Sequence, residues 1–132
     1  MNARHEKKLF YYFAFLGGLA VILGAFGAHT LKALLAPEQL LVYKTAVQYH
    51  FYHLILLGVL AILYKQNPSK TLMISFNLTL LGILLFSGSL YLLSCRFILG
   101  IESWTWLGPI TPIGGLCFVA AWFSLAWPVY KS

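Results

Sequence analysis

Four long stretches of this sequence contain no Asp, Glu, Lys or Arg, and they constrain the fold more than any other feature. They cover residues 9–31, 45–64, 71–95 and 103–130. A helix needs about 20 apolar residues to cross the roughly 30 Å hydrocarbon core of a bilayer, and each stretch is long enough. Helices satisfy their own backbone hydrogen bonds in lipid, whereas a β-barrel would show an alternating polarity that these stretches lack.

Composition favours a membrane protein over a soluble domain. Of the 132 residues, 61% are hydrophobic and 9% are charged, whereas soluble domains average about 45–50% apolar and about 25% charged residues. One small domain has too much surface to hide that much apolar area from water, so lipid must cover it. We therefore predict an all-α integral membrane protein. It is a single domain over residues 1–132, a four-transmembrane-helix bundle with helices near 9–29, 37–64, 71–95 and 112–130.

Proline positions indicate where two of these helices begin. Pro37 is followed by Glu38, and both residue types are favoured in a first helical turn. We expect residues 31–35, just before this second helix, to form an interfacial helical segment. Thr111 followed by Pro112 is typical of an N-cap and a first helical position, which predicts that the fourth helix begins at 112.

Basic residues predict the orientation in the membrane. The N-terminus carries three Lys or Arg, the middle loop two and the C-terminus one, against three in the two loops on the other side. Because cytoplasmic segments carry the excess of Lys and Arg, both termini are predicted to be cytoplasmic, in the bacterial inner (plasma) membrane. The net charge of +6 is spread between apolar runs, which indicates topology signals and contacts with anionic lipid, and no nucleic acid partner.

Small residues predict where the helices approach one another. Helices in lipid associate through close packing of small residues, because lipid removes the hydrophobic drive. The predicted packing residues are Ala20, Gly24 and Ala28 in the first helix, Gly88 in the third, and Gly114 and Gly115 in the fourth. The same stripes are also compatible with a homo-oligomer or a larger membrane complex.

Polar side chains inside the predicted spans are the candidates for chemistry, because such groups are costly in lipid. Most fall in the predicted outer half: His29, Thr45, Gln48, Tyr49, His50, Tyr52, His53, Ser87, Ser89 and Tyr91. Three interpretations are open: a pocket for a quinone, haem or lipid, a proton or ion path, or mutual hydrogen bonding between helices. A metal site from His29, His50 and His53 is a further alternative, since imidazole binds Zn, Cu and haem iron. No cofactor can be assigned from the sequence.

The absence of acidic residues from the four stretches argues against an enzyme. The chain has only Glu6, Glu38 and Glu102, all outside the four stretches, so catalysis by paired carboxylates is not expected. Cys95 and Cys117 have no arrangement of His and acid around them. The sequence also lacks a P-loop and a GxGxxG motif. We therefore expect no enzymatic activity.

Several segments resemble a known family. They are Gly-Ala-Phe-Gly-Ala-His at 24–29, Pro-Glu-Gln-Leu at 37–40, Tyr-His-Phe-Tyr-His at 49–53, Leu-Phe-Ser-Gly-Ser-Leu-Tyr at 85–91 and Gly-Pro-Ile-Thr-Pro-Ile-Gly-Gly at 108–115. In this order they resemble the YgdD/YwdK-like family, also called domain of unknown function 423. The resemblance implies a small multi-helix protein of the bacterial inner membrane and supplies no activity.

The resemblance also narrows the candidate site. The family pattern in the second helix is Tyr-Gln-x-Tyr-His, so His53 matches while His50 stands in the Gln position. This departure disfavours the three-histidine metal site. Together with Tyr91, the residues to test for ligand binding are His29, Tyr49, His53, Ser87 and Ser89.

Three functions are compatible with these features. The first is a non-enzymatic accessory or structural protein that binds a membrane complex or lipid. The second is a small oligomeric channel or transporter. The third is a binder of a hydrophobic or redox ligand at the His/Tyr/Ser cluster.

Cysteine labelling tests the predicted orientation. In a background with Cys95→Ser and Cys117→Ser, Asn67→Cys lies in the middle loop and Ser103→Cys lies in the third loop. A membrane-impermeant maleimide added to spheroplasts should label Ser103→Cys directly, and Asn67→Cys only after permeabilisation, because the middle loop is on the cytoplasmic side. The reverse pattern would place both termini outside.

Overall fold

The computed structural model describes residues 2–131, and within them the chain forms helices and no strands. The first helix, α1, covers Asn2–Phe26 and continues through a π-helical turn, Gly27–Leu31, and a last turn, Lys32–Leu34. The second helix, α2, covers Pro37–Gln66. The third, α3, covers Lys70–Gly82, a π-helical turn at Ile83–Ser87, and Gly88–Ser94. The fourth, α4, covers Leu107–Lys131, after a single-turn helix at Arg96–Leu99.

The four predicted spans are confirmed. Each of the four long helices is long and apolar enough to cross a membrane. The single-turn helix after α3 ends at Gly100, whose φ of 69° is the left-handed conformation that glycine adopts readily.

The predicted start of the fourth helix is wrong, because α4 begins five residues earlier, at Leu107. Pro109 lies in its first turn, where a missing N–H costs nothing. Pro112 lies one turn later and leaves only the Gly108 carbonyl without its usual helical donor. Thr111 does not cap the helix, because its hydroxyl bonds the hydroxyl of Ser89 on α3.

The segment before α2 is helical, as predicted, but it continues α1. Leu31 and Leu35 are buried beside Tyr43, whereas Leu34, the third leucine of the segment, is exposed. This continuation needs a glycine at residue 27, because a Cβ there would overlap the Tyr43 ring. The chain then extends at Leu35 and Ala36 before Pro37, as residues that precede proline commonly do.

Helix α2 lies at the centre of the molecule. One side of α2 packs on α1 and another on α3, while α4 packs along α3 and reaches α2 through side chains. The largest fully buried core residues are Phe76, Leu56, Leu57 and Leu60. Contact between α1 and α3 is sparse, which leaves room for a groove between them.

The N-terminal residues and the middle loop lie at the same end of the bundle. Lys7 shares a surface recess with Lys65, and His5 shares another with Lys70 and Asn77. We call this the N-terminal end. An up-and-down bundle of four helices places the C-terminus there as well.

The predicted packing residues differ in their surroundings. Ala20 is fully buried. A Cβ added to Gly24 would lie 3.6 Å from the Val47 side chain of α2. A Cβ on Gly114 would overlap the backbone of Leu85 and Phe86, so α4 crosses α3 here in direct backbone contact. At Ala28 and Gly88 the structure differs from the prediction: Ala28 is exposed, and a Cβ on Gly88 would meet only the Ile83 carbonyl.

Gly114→Ala should destabilise the protein by about 1–3 kcal/mol, because the added methyl group forces α4 away from the α3 backbone. Thermal unfolding in detergent, followed by circular dichroism, measures this. The control is Gly115→Ala, whose new Cβ would lie 3.8 Å from the Phe86 ring, an ordinary contact. Equal loss of stability in both variants would contradict the close crossing.

Candidate functional site

His50 lies near the middle of α2, is 1% exposed and connects three helices. Its Nε2 lies 3.1 Å from the carbonyl oxygen of Leu16 on α1. Its Nδ1 lies 2.9 Å from the hydroxyl of Tyr91 on α3. A carbonyl oxygen only accepts, so Nε2 carries the proton. In the neutral ring Nδ1 must then accept, and Tyr91 donates to it.

The neutral form of His50 follows from its surroundings. A charged imidazole buried in a membrane span is costly unless an acidic group pairs with it. Glu6, Glu38 and Glu102 all lie outside the four charge-free stretches, and the groups that bond the His50 ring are the Leu16 carbonyl and the Tyr91 hydroxyl. The hydrogen bonds therefore run in one direction, from the Tyr91 hydroxyl to His50 and from His50 to the Leu16 carbonyl.

His53 has both ring nitrogens occupied as well. Its Nδ1 lies 2.8 Å from the Tyr49 carbonyl oxygen of the same helix, so Nδ1 carries the proton. The indole N–H of Trp122 on α4 donates to Nε2 over 3.1 Å. The ring also stacks on Phe118, with 3.4 Å between centroids. His53 thus connects α2 to α4 and keeps no free lone pair for a ligand.

The hydroxyls of the candidate serines form hydrogen bonds between and within helices. Ser87 donates to the Ala46 carbonyl of α2 over 2.8 Å. Ser89 is bonded to the Phe86 carbonyl over 3.0 Å and to the Thr111 hydroxyl. Tyr49, which is partly exposed, packs on the Phe86 ring with 4.7 Å between centroids. These three residues therefore form a contact between α2, α3 and α4, and they are not in the lining of the groove described below.

His29 lies apart from the other candidates, exposed in the π-helical turn at the end of α1. His50 points toward α1 and Tyr91, whereas His53 points toward α4. Within the described part of the chain, no three His, Cys, Asp or Glu side chains are grouped to hold a metal. The structure does not bring His29, His50 and His53 together, because His29 lies in the π-helical turn of α1 while His50 bonds α1 and α3 and His53 bonds α4.

A groove of about 340 Å³ lies between α1 and α3, over His50. We call it the α1/α3 groove. Its walls are almost entirely apolar, and the lining includes Tyr12, Leu16, Leu23, Leu80, Leu84 and Gly88. The lining also includes His50 and Tyr91, which carry polar side-chain atoms. Phe15 and Leu84 at its edges are 70% and 67% exposed, so the groove opens onto the lipid-facing surface.

The π-helical turn of α3 shapes this groove. Ile83 and Leu84 of the turn lie in its wall, and Gly88 follows directly. A Cβ on Gly88 would meet only the Ile83 carbonyl, at 3.9 Å, so a side chain at this position would occupy the groove. Single π-helical turns occur frequently at functional sites.

Sequence reasoning undervalued three residues of this region. The family pattern disfavours His50, which stands in the Gln position, yet His50 is the histidine that lines the groove. The candidate site residues of the sequence do not include Trp122 and Thr111, which bond His53 and Ser89 in the structure. A signal was available for Trp122, because an indole N–H within a membrane span needs an acceptor from the protein.

Comparison with known proteins agrees with this architecture. Residues 23–115 match the family model described as "Protein of unknown function (DUF423)". The chain is 44% identical over 108 residues to the UPF0382 membrane protein YwdK of Bacillus subtilis, covering 81% of this chain and 83% of that protein. It is 39% identical to the UPF0382 membrane protein SH2409 of Staphylococcus haemolyticus, covering 90% of this chain and 95% of that one.

A third relative has a more specific name. The UPF0382 inner membrane protein YgdD of Escherichia coli is 33% identical over 109 residues, covering 83% of this chain and 79% of YgdD. No solved structure matches the chain.

A double-mutant cycle of His53→Phe and Trp122→Phe tests the hydrogen bond between α2 and α4. Hydrogen bonds between membrane helices contribute on average about 0.6 kcal/mol, with a maximum near 1.7. We expect a coupling energy of about 0.5–1.5 kcal/mol in unfolding titrations in mixed micelles. Additive effects of the two substitutions would show that the bond does not stabilise the protein.

Proposed function

Because this chain belongs to the DUF423 family, whose matched relatives bear no activity in their names, we propose its function from the site: it binds one lipid-class molecule in the α1/α3 groove. The protein acts without catalysis, as a multi-pass protein of the bacterial inner membrane. The observation that carries the proposal is a largely apolar groove in the membrane-spanning region, whose lining includes the hydrogen-bonded pair His50 and Tyr91.

The lining of the groove supports this proposal. Small-molecule sites are concave, mostly apolar and about 300–1,000 Å³ in volume, with a few placed polar groups. The α1/α3 groove has about 340 Å³, and its few polar residues are the bonded pair His50 and Tyr91 and, at the other end, Tyr12. Because it opens between two membrane-spanning helices, a ligand enters from the bilayer.

The length of the groove suits a lipid chain. Its lining extends from Tyr12 to Leu23 on α1 and from Leu80 to Tyr91 on α3. At 1.5 Å per residue each wall is about 16 Å long. This is close to half of the roughly 30 Å hydrocarbon core, the depth that an acyl or isoprenoid chain occupies in one leaflet.

The polar side chains of the spans outside the groove support binding over transport. A channel or transporter offers an ion or solute a series of polar groups along its path. In the described part of the spans, the hydroxyls of Ser75 and Ser87 each donate to a carbonyl of a neighbouring helix. His53 bonds its own helix and Trp122, so these groups are occupied within the protein.

Gly88→Leu should block the groove without harming the fold. The new side chain meets no side chain at its Cβ, and replacing a helical glycine improves helix propensity. With a hexadecanol probe that carries a mid-chain diazirine, photolabelling of groove residues such as Leu84 should fall at least about tenfold. This loss corresponds to about 1.4 kcal/mol or more of binding free energy.

The matched control is Gly18→Leu, on an exposed face of α1 where an added Cβ meets nothing within 4 Å. It should label as the wild type does, with crosslinks mapped by mass spectrometry. Undiminished labelling of groove residues in Gly88→Leu would overturn the proposal.

A further inference from the structure

The groove presents hydrogen-bond acceptors to its ligand, and we infer that the ligand is an alcohol: an O–H group on a long apolar chain. This inference rests on the proposed function, since it names the chemical class that the α1/α3 groove binds. It follows from the direction of the hydrogen bonds at His50 and from the position of the Ile83 carbonyl oxygen beside Gly88.

The phenol oxygen of Tyr91 is the first acceptor that the groove presents. The Leu16 carbonyl requires the proton of His50 to be on Nε2, so Nδ1 accepts and the Tyr91 hydroxyl donates its only proton to it. The phenol oxygen keeps a lone pair and no second proton. Tyr91 lines the groove, so a ligand beside it finds an acceptor.

The backbone at the π-helical turn supplies a second acceptor, the carbonyl oxygen of Ile83. The Ile83 carbonyl accepts from the N–H of Gly88 and retains a second lone pair. Because residue 88 has no side chain, this oxygen lies 3.9 Å from the space that a Cβ would fill. Gly88 and Tyr91 are three residues apart on one helix, so the two acceptors share a face of α3.

Tyr12 is the remaining hydroxyl of the lining, and it lies away from this face. It is 49% exposed and begins the opposite end of the α1 wall, one turn from Lys8. A tyrosine at that depth belongs to the interfacial belt, where its hydroxyl reaches water or lipid headgroups. The polar end of a ligand beside His50 therefore meets acceptors.

An acceptor-only site discriminates between related lipids. An alcohol donates to Tyr91 or Ile83, whereas an aldehyde, ester, ether or carboxylate places its own acceptor against theirs. The isoprenoid alcohols and the glycerides with a free hydroxyl share the required chemistry. One net hydrogen bond is worth about 3- to 10-fold in affinity.

The test is native mass spectrometry of the full chain in mild detergent with three matched probes: geranylgeraniol, its methyl ether and the corresponding aldehyde. We expect wild type to bind the alcohol about 3- to 10-fold more tightly than either of the others. A second pair, 1,2-dioleoylglycerol and its methyl ether, distinguishes the source of the hydroxyl. Preference for either alcohol over its own ether supports the inference, and the tighter alcohol identifies the isoprenoid or the glyceride.

Two variants test the direction of the bonds. In His50→Leu the Tyr91 proton is released into the groove, so the aldehyde should gain affinity and the preference should fall below about twofold. In Tyr91→Phe the Nδ1 lone pair of His50 becomes the acceptor, so the alcohol preference should persist and aldehyde affinity should not change. The matched control is His53→Leu, which removes a buried histidine outside the groove lining and should keep the wild-type preference.

Two results overturn the inference. If wild type binds alcohol, ether and aldehyde equally, the groove binds lipid chains without recognising a hydroxyl. The proposed function then holds, and the inference of an alcohol is wrong. If Tyr91→Phe loses aldehyde affinity about 3- to 10-fold, Tyr91 donates to ligands and the direction is wrong. Binding of none of the probes, together with unchanged photolabelling in Gly88→Leu, would remove the proposed function itself.

Discussion

A polar group in lipid has no water to bond, and this constraint organises the whole molecule around α2. Within residues 3–128, every buried side-chain nitrogen or oxygen atom has a hydrogen-bond partner. Many of these bonds join different helices: His50 to Leu16 and Tyr91, and His53 to Trp122. Lipid offers no hydrophobic drive between helices, so these bonds and close backbone contacts such as that at Gly114 fix how the helices lie.

The two histidines of α2 illustrate two uses of the same side chain. His53 is bonded on both nitrogens, stacked on Phe118 and enclosed by α4, so it acts as a structural connection. His50 is equally buried and bonded, but its partner Tyr91 lies at the wall of an open groove. The difference comes from the neighbouring helix: α4 packs closely on α3, whereas α1 hardly touches it.

Much of the fold was predictable because span length and the absence of charge are properties of the chain alone. The positions of α2 and α3 agree with the prediction to within a few residues. The start of α4 was not predictable, because Thr111 and Pro112 have the local pattern of a helix start, but the bond of Thr111 to Ser89 is tertiary. For the same reason the candidate cluster appeared as one site in sequence and is divided in the structure.

The sequence by itself determined that this protein spans the membrane with four helices, since no other fold satisfies the backbone in lipid over such apolar stretches. It also indicated that His, Tyr and Ser side chains in the spans matter, because polar groups there are costly. Only the tertiary structure decided which of these side chains are enclosed between packed helices and which line a groove. That choice depends on rotation and spacing of helices, which arise from contacts between residues far apart in the chain, such as Leu16, His50 and Tyr91.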